Sequence, residues 1–75
     1  MNKARRTRIG EICGQLKGLT EDLNDILDEE QDSFDSIPEN LQDSERAQES
    51  EEAIDNIDDA IESLEEAIES LRDVI

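Results

Sequence analysis

Seventy-five residues with 23 acids, 7 bases and a formal net charge of −16 make one domain at most. Phe34 is the sole aromatic and Trp, Tyr and His are absent, so any core must be built from Ile, Leu, Val and Ala, as in helical bundles. The charge excludes general nucleic-acid binding, because phosphate contacts need a positive field, and favours a basic partner or simple solubility through self-repulsion.

The chain opens on Met1-Asn2-Lys3-Ala4-Arg5-Arg6. This is the basic start of a signal peptide without the apolar run of about 7–15 residues that should follow it. No segment approaches the roughly 20 apolar residues that span a bilayer. Cys13 is the only cysteine and has no internal disulfide partner, which points to a reducing compartment. A soluble, cytoplasmic protein is expected, with no membrane contact.

A first helix is expected from about residue 3 to about residue 32. Ile9, Ile12, Leu16, Leu19, Leu23 and Ile26 alternate by three and four, the stripe of a helix packed on another helix, and Cys13 and Leu27 widen it. Thr20-Glu21-Asp22 has the form of an N-cap with an acidic first turn, but the unbroken register across it favours one continuous helix.

Two features of this helix stand apart from the stripe. Gly10, Gly14 and Gly18 share one side, each costing about 1 kcal/mol relative to Ala, which marks them as a candidate close-contact face. Arg5, Arg6 and Arg8, with Lys3 and Lys17, make its first half basic. That polarity either orients the helix against an acidic neighbour or forms a candidate anion-binding site for a nucleotide or phosphate.

The stripe lapses at Glu30 and Ser33, so a turn is expected at about 33–37. Glu29, Glu30, Asp32 and Asp35 cluster here without the glycine and ligand spacing of a calcium loop. Ser36-Ile37-Pro38-Glu39 has the Ser-x-x-Glu form of a capping box, with Pro38 in the first turn. Phe34, Ile37 and Leu41 should plug the closed end. A short helical piece through Leu41 is expected before the long helix settles at about Ser44, so the second helix is expected from 38 or 44 to 75.

That second helix carries the clearest pattern in the chain. Ala-Ile begins three successive heptads at 53, 60 and 67, and Ile54, Ile57, Ile61, Leu64, Ile68 and Leu71 keep a strict 3-4 alternation. The alanines permit close approach of a neighbouring helix. Asp55, Asp58, Asp59, Glu62, Glu65, Glu66 and Glu69 place carboxylates on every turn, at steps of roughly 5–6 Å. This is a candidate partner-binding face, comparable in charge density to one strand of DNA.

The expected architecture is all-α: a single helical-hairpin domain over 1–75 with coiled-coil packing. Two helices leave one side of each stripe wet, so a homodimer forming a four-helix bundle is expected. Its oligomer interface would be drawn from Ile9, Ile12, Leu16, Leu19, Leu23 and Ile26 with Ile54, Ile57, Ile61, Leu64, Ile68 and Leu71. With no histidine, no base beside Cys13 and no glycine-rich phosphate loop, the chain is not expected to be an enzyme or to hold a metal or cofactor.

Arg5-Arg6-x-Arg8-Ile9, Asp28-Glu29-Glu30-Gln31, Ile37-Pro38-Glu39-x-Leu41 and Ser44-Glu45-Arg46 together resemble a group of small acidic helical proteins of phages and prophages. The resemblance spans most of the chain through short motifs and brings no catalytic residues. It implies a viral accessory protein in a bacterial cytoplasm that binds and inhibits a host protein. The expected function is therefore non-catalytic binding of a host protein with a basic surface, in its sharpest form by imitating DNA. Two alternatives remain: a structural or assembly bundle protein, and a nucleotide sponge built on Arg5, Arg6 and Arg8.

Overall fold

The computed structural model describes residues 1–75 as two long helices folded back on each other, α1 (Lys3–Asp35) and α2 (Glu45–Arg72). A short 3-10 turn, Glu39–Leu41, lies between them. The hairpin is a rod of 59 × 15 × 13 Å. No helix is long and apolar enough to cross a membrane.

Local chemistry sets the helix ends. Asn2 caps α1, its side-chain oxygen accepting from the Arg5 backbone N–H at 2.9 Å. The helix then runs unbroken through Thr20 to Asp35, three residues past the expected end. It stops because Pro38 disfavours helical geometry at Ile37. Ser36 closes the last turn, with both its N–H and its hydroxyl donating to the Asp32 carbonyl.

The expected capping box at Ser36 is thus corrected. Ser36 ends α1 rather than starting α2, and Pro38 leads instead into the 3-10 turn, where the Leu41 N–H donates to the Pro38 carbonyl at 2.8 Å. The true N-cap of α2 is Ser44, whose hydroxyl oxygen accepts from the Ala47 N–H at 3.2 Å. Ser44→Ala should cost about 1 kcal/mol. Thermal unfolding followed by circular dichroism should show the midpoint falling by roughly 4–8 °C.

The packed row of α2 is the one its heptads announce. Ile61 and Ile68 are buried, with 5% and 6% of their surface exposed, and Ile54, Ile57, Leu64 and Leu71 are half-buried. Upstream the row continues through Ser50 to Ala47, which is fully enclosed beside the turn.

On α1 the packed row is shifted. It runs Ile9, Cys13, Leu16, Thr20, Leu23, Leu27, Glu30, Phe34, again in steps of four and three, with every member buried or half-buried. Ile12, Leu19 and Ile26, expected in the same stripe, are 47%, 57% and 49% exposed. They lie beside the packed row rather than in it. Cys13, Thr20 and Leu27 take those places, and the row reaches Phe34 without the lapse seen at Ser33.

Two polar residues hold positions in that row by satisfying their own hydrogen bonds. The Thr20 hydroxyl donates to the Leu16 carbonyl at 2.7 Å, one turn back along the helix. Glu30 accepts from the Ser50 hydroxyl at 2.6 Å, a side-chain bond that joins the two helices. No buried side-chain nitrogen or oxygen is left without a partner.

Candidate functional site

The two edges of the hairpin are chemically different, and the hollows along them show which residues share each edge. One hollow of about 450 Å³ is lined by Lys17, Thr20, Glu21 and Asn24 from α1 and by Glu65, Ile68, Glu69 and Arg72 from α2. Both helices therefore present charged residues to this edge. The second hollow, about 630 Å³, lies at the turn and brings Glu30 and Ser33 together with Arg46, Glu49 and Ser50.

Ser33 and Arg46 mark the opposite edge. Stepping back from Ser33 by sevens gives Ile26, Leu19 and Ile12, and stepping forward from Arg46 gives Ala53, Ala60 and Ala67. In an antiparallel pair these two columns lie on the same side. Ala60 and Ala67 are exposed and Ala53 is half-buried. The edge thus carries three large apolar side chains on α1 beside a shallow column of alanines on α2.

The carboxylates of the candidate partner-binding face, Asp55, Asp58, Asp59, Glu62, Glu65, Glu66 and Glu69, are all exposed. They occupy the outer side of α2 and the charged edge, away from the alanine column. The packed row beneath them fixes the helix that displays them, so the charges sit on a rigid support. Such a face is suited to long-range attraction of a basic surface and to charge-assisted hydrogen bonds on contact.

Arg5, Arg6 and Arg8 are exposed on the first two turns of α1. None lines the three main hollows, so the structure does not gather them around a site. Their positive charge at a helix N-terminus also opposes the helix dipole.

Gly10, Gly14 and Gly18 face open space: a Cβ built on any of them meets nothing within 4 Å. Within the hairpin they form no close-contact face. The packed row between α1 and α2 passes through Cys13 and Leu16, so the glycine side lies outside the contact between the two helices, as the sequence places it.

Thr7, Thr20 and Ser36 donate to carbonyls four residues back, and Cys13 is buried in the packed row. No group of three or more Cys, Asp or Glu side chains converges in a geometry that would hold a metal ion, the turn carboxylates Glu29, Glu30, Asp32 and Asp35 included. What the arrangement offers is surface: an acidic face, an apolar edge and a charged edge on one rod.

The apolar edge is the feature the sequence pattern concealed. Two 3-4 registers compete on α1, sharing Ile9, Leu16 and Leu23. The signal that separates them is continuity, since only the one through Cys13, Thr20 and Leu27 arrives at Phe34 beside the turn. Comparison with protein-family models, with characterised proteins and with solved structures finds no match for the chain.

Proposed function

We propose that this chain is a non-catalytic binding protein whose helical hairpin presents an acidic face to the basic surface of a partner protein. In the sharper form it is a phage-type accessory protein of the bacterial cytoplasm. It pairs as a four-helix bundle dimer and blocks a nucleic-acid-binding host protein by imitating DNA. The observation that carries this reading is the exposure of all seven carboxylates from Asp55 to Glu69 on a helix immobilised by its opposite side. Resemblance to small acidic phage proteins supports the setting, and the absence of histidine together with the buried thiol supports a role outside catalysis.

The test is competition with DNA. A quadruple variant, Asp58→Asn, Glu62→Gln, Glu65→Gln and Glu69→Gln, keeps the packed rows and should retain its helicity. Wild-type protein should be captured with a basic nucleic-acid-binding protein from bacterial lysate at low salt, release it at moderate salt, and compete with duplex DNA for it. The variant should lose at least about tenfold in that competition, in line with the screening of exposed charges. A variant that competes as well as wild type would remove the acidic face from the mechanism.

A further inference from the structure

We infer that the edge carrying Ile12, Leu19 and Ile26 is covered by a second copy of this chain, with the two α1 helices crossing antiparallel about a two-fold axis at Leu19. The inference rests on the dimer proposed above and specifies its face, its symmetry and its pairing.

The spacing is self-complementary. Ile12, Leu19 and Ile26 are seven apart, so a two-fold axis at Leu19 sets each Ile12 against the partner's Ile26 and the two Leu19 side chains against each other. A symmetric dimer uses the same patch on both copies, so residue i meets residue j and j meets i. One heptad further out the column reads Arg5 and Ser33, a polar rim around an apolar centre.

Charge selects this pairing over the alternative. Under the two-fold at Leu19, Lys3, Arg6 and Arg8 of one copy come level with Asp35, Asp32 and Glu30 of the other. Five bases in residues 1–20 therefore oppose the nine acids of residues 21–40. Stacking α1 over the partner's α2 would instead set only the basic start of α1 against acids and bring the acidic stretch before the turn against the acidic start of α2. It would also leave the basic ends of both copies together.

The area fits as well. A compact 8.5 kDa chain exposes about 4,700 Å², whereas this chain exposes 5798 Å². A rod face 59 Å long and 15 Å wide has room for the roughly 800 Å² per partner of a standard interface. The acidic face of α2 points away from this edge and stays free in the dimer.

Sedimentation equilibrium of the full chain should give twice the 8.5 kDa chain mass. Leu19→Glu places two carboxylates at the axis and should halve that mass while circular dichroism stays helical, because Leu19 is 57% exposed and lies outside the packed row of one chain. In a Cys13→Ala background, oxidised Leu19→Cys should cross-link to itself. Ile12→Cys and Ile26→Cys should cross-link only when mixed. A wild-type mass of one chain, or of more than two, overturns the dimer itself. A Leu19→Glu protein that remains dimeric overturns the face while leaving the dimer standing. Cross-linking of Leu19→Cys only when mixed with Ala60→Cys overturns the antiparallel pairing of the α1 helices.

Discussion

Replacing Gly10, Gly14 and Gly18 together by alanine is expected to raise the thermal midpoint by roughly 5–20 °C. Glycine loses more backbone freedom on folding than any other residue, and each Gly→Ala change at an unstrained helical site contributes about 0.4–1 kcal/mol. The usual objection is crowding, and here it does not apply, since an added Cβ meets nothing within 4 Å at any of the three positions. The glycines also lie off the packed row and away from the column of Ile12, Leu19 and Ile26, so dimer mass should not change. The outcome separates two explanations for three glycines in register. A higher midpoint with unchanged partner capture means that they are loose backbone on an outer side. A higher midpoint with lost capture means that a partner's backbone approaches this side closely, and that the stability forgone within the chain serves binding.

The hairpin is legible in the sequence because helix 2 has one apolar stripe and Pro38 has one structural consequence. From Ile54 to Leu71 nothing competes with the isoleucines and leucines except alanines, so the packed row follows directly from spacing. Helix 1 is different. Columns through Ile12, Leu19 and Ile26 and through Cys13, Thr20 and Leu27 both complete a 3-4 pattern with Ile9, Leu16 and Leu23. Hydrophobicity alone favours the former, because Ile-Leu-Ile is more apolar than Cys-Thr-Leu. The fold takes the latter, the register that brings Phe34 into the packed row, and the cost of burying Thr20 is met locally by the Leu16 carbonyl. A hydrogen bond of that kind depends on a backbone carbonyl one turn away, and no apolar pattern registers it. The start of α2 at Ser44 is one of the two the sequence offers: Ser36 and Ser44 are both capable caps, and only the geometry that Pro38 imposes on Ile37 decides between them. Exposure of the acidic face needed no such detail, since charged residues on the far side of a packed helix have nowhere else to go.

Ile61→Ala should be the most damaging single truncation in the chain, at about 2–4 kcal/mol. Ile61 is one of the two most enclosed large side chains, at 5% exposure, and it sits mid-helix, where the rod cannot collapse around a cavity by fraying. Small domains hold only about 5–15 kcal/mol in total, and a two-helix chain belongs at the low end of that range. The variant should therefore unfold over a broad, early urea transition, or be largely unfolded without denaturant. Leu19→Ala removes as many carbons from the other column and is expected to behave differently. Its side chain is 57% exposed within one chain, so its cost should be small in dilute protein and should grow with concentration as dimers form. Urea unfolding of wild type and both variants at two protein concentrations, well separated, reads the difference directly. A loss below about 1 kcal/mol for Ile61→Ala would overturn the packed row of α2, and a Leu19→Ala penalty equally large at both concentrations would mean that the row through Ile12, Leu19 and Ile26 packs within the hairpin after all.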